Sequence, residues 1–316
     1  MLTEKTQKTQ KHDGDNRSAE HLPARTRHPF HPRIVRIALP PASIRAFLEH
    51  CKEDSVQSLT YVPYSRLVLA QRLSAILGEA FVTMLRDILH DRETGGFTIG
   101  VENQSQEIEE FVKFSTAIAH LIGVPNFDAM GGNYFARFAV QNTDQSDSYL
   151  RQAYRNMTLH TDGTYVDEVT DWVLMQKMEE RNAVGGRSRL LHLADWRELA
   201  TFSGHPLANH EFLYKAPASK NVDRIVRQRT FGAWNGGVAI CFIDQFAYPE
   251  TREQACYLDA MSRSLENSDG VQMIELFPGE ILVINNRFWL HGRESFQRHP
   301  NLYRELLRMR GPLLNT

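Results

Sequence analysis

Short strand-like runs punctuated by turns, with helical segments gathered ahead of them, predict a mixed α/β, β-rich chain. The architecture they suit is a double-stranded β-helix, or jelly-roll, core with helices packed outside it. Three observations carry this. Beyond residue 130 the apolar runs are short and end at Gly, Pro, Asn or Asp, as strands do. Residues 271–287, VQMIELFPGEILVINNR, read as an alternating strand, a Pro-Gly-Glu turn, a continuous apolar run fit for a buried strand, and a polar stop. Nothing after the N-terminal segment looks like a repeat or a linker, so one core has to absorb all the elements.

The elements follow in order. Residues 1–33 are polar and poor in aliphatics, without the apolar stretch of a signal peptide, and are expected to be a mobile tail. His12, His21, His28 and His31 fall in it as solvated residues. A single domain is expected over 34–316. Pro41–Cys51 and Ser65–Leu89 carry apolar residues at helical spacing. Glu107–Ile122 places Ile108, Phe111, Val112, Ser115, Ile118, Ala119 and Ile122 on one stripe, and Gly123 and Pro125 stop it. Asn133–Val140, Asp171–Met178, Arg189–Leu193, Gly237–Phe246 and Ile281–Ile284 read as strands, and Arg252–Ser268 returns to helix.

Composition narrows the function. Of 316 residues, 42% are hydrophobic and 23% charged, as in ordinary globular proteins. A net charge of −2 gives no field to draw nucleic acid or an anionic membrane, so neither is expected as a partner. Cys51, Cys241 and Cys256 have no C-x-x-C spacing, which suits a cytoplasmic location. No apolar run approaches the roughly 18 residues of a membrane span.

The chemistry begins at His160-Thr161-Asp162-Gly163. In an extended segment, residues two apart point to the same side, so His160 and Asp162 can reach one ion. His291, presented after the 281–284 strand, supplies a third ligand from elsewhere in the fold. Two histidines and one carboxylate on one face suit Fe(II) and leave the opposite face open. Alone, H-T-D-G is also a common turn, and the downstream histidine is what lifts it above one. Arg304 and Arg308, in LYRELLRMRG, have the four-residue spacing of a solvated helix face. Against a buried metal site they are also planar, permanently charged forks for carboxylates. His120 and His192 lie in apolar surroundings and read as core histidines. Tyr134, Arg137 and Arg151 are open as pocket residues.

The segments AIAHLIGVPNFDAM (117–130), SDSYLRQ (146–152), LHTDGTYV (159–166), LLHLADW (190–196), PLANH with KNV (206–222), FIDQF (242–246) and INNRFWLHGR with RELLRMRG (284–311) carry a resemblance. The chain resembles the Fe(II)/2-oxoglutarate-dependent oxygenases of the clavaminate synthase-like type. More closely, from about residue 35 onward, it resembles the glutarate 2-hydroxylase family, carbon-starvation-induced proteins of bacterial lysine degradation. The resemblance implies Fe(II) on His160, Asp162 and His291, with 2-oxoglutarate as cosubstrate. Arg304 would bind the distal carboxylate of 2-oxoglutarate, with Ser188 of the Gly185-Gly186 turn beside it, and Arg308 would bind glutarate. Arg310 is an alternative to either arginine, and Arg293 would orient a carboxylate or support its loop. No catalytic side chain beyond the metal ligands is implied. The reaction implied is hydroxylation of glutarate to L-2-hydroxyglutarate, with O2, as 2-oxoglutarate goes to succinate and CO2. A homo-oligomer, a tetramer, is implied too. Other readings are the same chemistry on another short dicarboxylate or a sulfonate, a non-catalytic metal-binding jelly-roll module, and a zinc hydrolase, which the lack of H-E-x-x-H disfavours.

Overall fold

The computed structural model describes residues 22–101, 103–143 and 152–314. It opens with the hairpin β1 (Ala24–His28) and β2 (His31–Ala38). Helices α1 (Pro41–His50), α2 (Val56–Tyr61), α3 (Pro63–Leu77) and α4 (Glu79–His90) follow, then β3 (Gly96–Gly100) and α5 (Ile108–Ile122). The barrel strands begin with β4 (Ala136–Gln141), β5 (Met157–His160), β6 (Trp172–Arg181) and β7 (Ser188–His192). An excursion runs through α6 (Leu199–Ser203), β8 (Glu211–Lys215), β9 (Ile225–Arg229), β10 (Phe231–Trp234), β11 (Gly237–Ile240), β12 (Ala247–Tyr248) and α7 (Arg252–Glu266). The chain closes with β13 (Gln272–Ile274), β14 (Glu280–Asn285), β15 (Trp289–Arg293) and β16 (Tyr303–Gly311).

Two sheets face each other as a jelly roll. The major sheet has the order β1-β2-β3-β14-β6-β16-β4 and the minor sheet β13-β7-β15-β5. All their pairings are antiparallel except β2 with β3. The strand period of two divides the core into two layers. Ile281 and Val283 of β14, with Trp172 and Leu174 of β6, pack outward under α1, α3, α4 and α5. Leu282 and Ile284, with Val173 and Met175, pack inward against Leu190 and Leu290 of the minor sheet. The apolar run of β14 is therefore a strand covered on both faces, which is why it does not alternate.

Several expectations are corrected. Among the described residues the first strand begins at Ala24, ahead of the expected start at Ile34. Residues 1–21 of the expected tail lie outside the described residues, but His28 and His31 belong to a hairpin and are buried. The ring of His31 meets Trp289 edge-on at 4.9 Å. Arg33 donates through Nε and Nη2 to Asp195, each at 2.8 Å, tying the hairpin to the segment after β7. Ser65–Leu89 is two helices, broken at Gly78, whose φ of 85° an L side chain resists. The Gly185-Gly186 turn carries the chain across the barrel, since β6 and β7 lie in different sheets. Gly186 has φ 70°, and a Cβ there would sit 1.9 Å from the Phe296 ring. Finally, β11 ends at Ile240, because residues 241–246 leave the sheet to support the H-T-D-G segment.

Candidate metal centre and its cavity

His160, Asp162 and His291 come together at the barrel mouth. Strand β15 pairs with β5 so that His291 lies directly opposite His160, with ring centroids 4.3 Å apart. Directly opposed residues share a face of a sheet, so this register alone puts both imidazoles on one side. A bulge follows at Gly292, where a Cβ would stand 2.5 Å from the Met157 carbonyl. Asp162 comes from the turn just beyond β5, and its Oδ1 is 3.8 Å from His160 Nε2. One donor atom from each of the three residues lies within 4.8 Å of the others, and among the described residues they are the group that could hold a metal ion.

The supports explain the surrounding motif. Thr161 donates its N–H to the Phe242 carbonyl at 2.8 Å and accepts from Phe242 N–H through Oγ1 at 2.9 Å. Asn286 Oδ1 accepts from Asp162 N–H at 2.8 Å, while its Nδ2 donates to the Asp162 and Thr170 carbonyls. Asn285 holds the Leu89 carbonyl, and Arg287 pairs with Asp171. The N-N-R tripeptide is thus the clamp beneath the turn. Removing its amides would leave buried polar groups unmet, at about 1–3 kcal/mol each. Gly163, at φ 79°, lets the turn pass Thr170, where a Cβ would come within 2.4 Å of Oγ1. The Thr158 carbonyl contacts His160 Nδ1 at 2.8 Å, which fixes that nitrogen as the N–H donor and leaves Nε2 able to ligate a metal.

The donor set fits a divalent cation. Burial keeps His291 neutral, pushing its pKa down to about 3. Burial would raise the Asp162 pKa, but the Arg308 guanidinium outweighs it and holds the carboxyl well below the usual range. Asp162 Oδ2 lies 3.1 Å from Arg308 Nη1, in ion-pair reach but outside hydrogen-bond geometry, and has no hydrogen-bond partner. Two neutral imidazoles and one ionised carboxylate are what a 2-His-1-carboxylate iron site needs.

The arginines arrive on β16, a strand and not a helix. Its register turns Arg304, Leu306 and Arg308 toward the cavity, while Leu307 and Met309 join the helix-side core. The cavity over the triad is lined by these residues together with Lys220, Arg293, Tyr165 and Phe246, among others. Arg304 is buried, its Nε has no partner, and burial beside Arg293 pushes its pKa down to about 9. Such a charge calls for an anion. Arg293 is buried too and is braced by the Gln152 and Ala153 carbonyls. Ser188 is buried directly opposite Arg293 in the register, but is not among the lining side chains. Arg310 is 3.9 Å from Asp128 and does not line the cavity.

Of the remaining residues, His120 caps the Thr116 carbonyl and His192 accepts from Ala194 N–H, each as a core histidine. Tyr134 bonds Thr116, and Arg137 pairs with Glu305. Arg151 lies outside the described residues. Sequence reasoning missed two residues. Asp128 Oδ2 accepts from Arg308 Nη2 at 2.6 Å, and its Oδ1 gathers the N–H groups of Met130 and Gly131. Lys220, on a 3-10 turn (Ala218–Lys220), is buried and lines the cavity. Both sit in loops whose only signal was lying inside the stretches 117–130 and 206–222.

The CsiD family profile matches residues 24–313. Glutarate 2-hydroxylase of Citrobacter koseri is 44% identical over 283 residues, 89% of this chain and 87% of that protein. The chain belongs to the CsiD family. The Salmonella paratyphi B glutarate 2-hydroxylase matches with the same identity and coverage. Among solved structures, asparagine oxygenase with Fe(II), 2S,3S-3-hydroxyasparagine and succinate superposes with a TM-score of 0.69 at 14% identity, covering 87% of this chain and 93% of that one. The non-heme iron oxygenase OrfP, with Fe, succinate and (3S)-hydroxy-L-Arg, gives 0.67 at 16% identity, covering 88% and 93%. At such identities the likeness is one of fold, and it matches the jelly roll of this CsiD-family chain.

Proposed function

We propose that the protein hydroxylates glutarate at C2 to L-2-hydroxyglutarate, coupled to conversion of 2-oxoglutarate and O2 to succinate and CO2. The observation that carries this is the charge of the cavity. Three arginines, Arg293, Arg304 and Arg308, line it together with one carboxylate, Asp162, which would also be a metal ligand. With a divalent ion bound, one dianion would leave about half of that charge uncompensated. Two dicarboxylates come close to neutralising it. The 44% identity to glutarate 2-hydroxylases supports glutarate as one of them.

His160, Asp162 and His291 would hold Fe(II). Bound there with 2-oxoglutarate and O2, it supplies the oxidising power to put an oxygen atom into an unactivated C–H bond. The chain's own residues bind and orient. Arg304, near Arg293, takes the distal carboxylate of 2-oxoglutarate, and Ser188, opposite Arg293, supports that end. Arg308 touches Asp162, so a substrate carboxylate on Arg308 lies beside the metal. The carbon next to that carboxylate is then the nearest one, which accounts for position 2. Phe138, Val140, Ile243, Phe246 and Leu306 line the cavity with apolar walls that seat methylenes and exclude water. No side chain has to act as acid or base.

A panel of acids tests the reading. Succinate formation with Fe(II) and 2-oxoglutarate is expected to rise most with glutarate, ahead of malonate, adipate and short sulfonates. A larger response to a sulfonate or to another diacid would replace glutarate as the substrate.

Residues from Ala24 onward are read here as one oxygenase domain. The three unpaired cysteines suit a reducing cytoplasm, and no single helix among the described residues is long and apolar enough to cross a membrane. A homo-oligomer, a tetramer by family resemblance, is supported by the exposed Tyr61, Tyr64, Leu67 and Val68 around α2 and α3. Light scattering would read it, and a monomer would contradict it.

A further inference from the structure

We propose that Lys220 selects the substrate by holding its far carboxylate, so that the protein prefers a five-carbon diacid to the matching monoacid. This rests on the reading above, in which Arg308 takes the carboxylate beside the metal. A diacid lying in the cavity has a second charge to satisfy. Of the other lining cations, Arg304 and Arg293 are neighbours and serve the cosubstrate end. Lys220 is the lining cation that remains.

Its placement suits the task. One loop, running from Asp128 to the bridge at Asn133, supports both substrate cations. Asp128 grips Arg308 at 2.6 Å, and two residues on, Met130 Sδ contacts Lys220 Nζ at 3.9 Å. The Lys220 turn is docked onto the same loop from the other side. Asn221, in the left-handed region at φ 53°, turns the chain back, and its Nδ2 donates to the Ala129 carbonyl at 3.3 Å. The ammonium is therefore buried on a braced turn and not carried on a free surface arm. The cavity walls Phe138, Ile243 and Phe246 offer nothing polar to a methylene chain.

The test compares glutarate with pentanoate, which keeps the chain and one carboxylate. Lys220→Met preserves length and removes charge; Lys220→Arg restores it. Steady-state kinetics are paired with anaerobic calorimetry of each acid on protein loaded with Fe(II) and 2-oxoglutarate. Wild type is expected to favour glutarate strongly. Lys220→Met should lose roughly 30- to 1,000-fold in glutarate affinity and kcat/KM, the size of a desolvated charged contact. Its pentanoate values and its KM for 2-oxoglutarate should stay within about twofold, which also serves as the control for folding. Lys220→Arg should recover most of the preference. Equal losses for both acids, a rise in the 2-oxoglutarate KM instead, or an unchanged glutarate preference would each overturn the role of Lys220. Absence of any glutarate response in wild type would instead overturn the reading on which it rests.

Discussion

Asp128 decides where Arg308 points. It lies buried between Arg308 and Arg310, and although burial would raise its pKa, the two guanidiniums hold it below its ordinary value. Arg308 thereby bridges Asp128 and Asp162 of the triad, which pre-orients its fork. Arg304 is in no ion pair among the described residues and Glu180 acts on it only from a distance, which makes it the readier anion receptor. This difference predicts separable defects. Arg304→Ala should mainly raise KM for 2-oxoglutarate, while Arg308→Ala should mainly impair glutarate use and leave uncoupled decarboxylation. Each change should cost about 2–5 kcal/mol, and Lys should rescue poorly for want of the fork. Varying each ligand in turn checks it; identical defects in both variants would show the roles are not divided. For the metal, His160→Ala, Asp162→Ala and His291→Ala should each abolish iron binding, read by metal content of the refolded-state-checked protein, while circular dichroism stays native. Retention of stoichiometric iron by all three would sink the assignment. The triad was legible in the sequence because H-x-D with a distant histidine restricts geometry. Asp128 and Lys220 were not, since a single buried charge in a loop has no spacing to betray it.

The elements show where periodicity speaks and where it is ambiguous. Helix α5 and strand β14 could be read directly, one from its stripe and stops, the other from its bounded apolar run. Arg304 and Arg308 could not be assigned to helix or strand by spacing, because residues four apart share a face in both. The hairpin of β1 and β2 was hidden by composition: Ala24–His28 reads ARTRH, and four of its five residues are exposed on an edge strand. What orders it is tertiary, the Arg33–Asp195 pair and the seat of His31 on Trp289. Burial would raise the Asp195 pKa, but the hydrogen bonds and charge of Arg33 lower it. A carboxylate with a lowered folded pKa stabilises above its unfolded pKa, and that contribution fades as pH falls through the folded value. Asp195→Asn should therefore cost about 0.5–1 kcal/mol at pH 7, given the partial exposure of the pair, and progressively less below about pH 4. Deleting residues 2–21 should leave Tm unchanged, whereas deleting 2–30 removes β1 and should lower it by at least about 4 °C. Equal melting of the two truncations would show that the hairpin adds nothing.

At the scale of the molecule, the jelly roll brings two histidines into register from strands far apart in sequence, and β16 delivers the arginines across from them. Such a site gains little from the helices directly. They close the outer face of the major sheet and leave its inner face to the cavity. The fold class was legible because short bounded runs leave few ways to bury so much apolar surface, while the excursion through β8 to β12 was not, since its strands are brief and its sheets small. The central claim is that the cavity holds two dicarboxylates at one metal site and couples their oxidation. The most direct measurement is the ratio of products in one reaction with Fe(II), 2-oxoglutarate, O2 and glutarate. The account predicts succinate and L-2-hydroxyglutarate in equal amounts, with neither formed by the Asp162→Ala protein. Succinate formed at the same rate with and without glutarate, and no hydroxylated diacid, would contradict it.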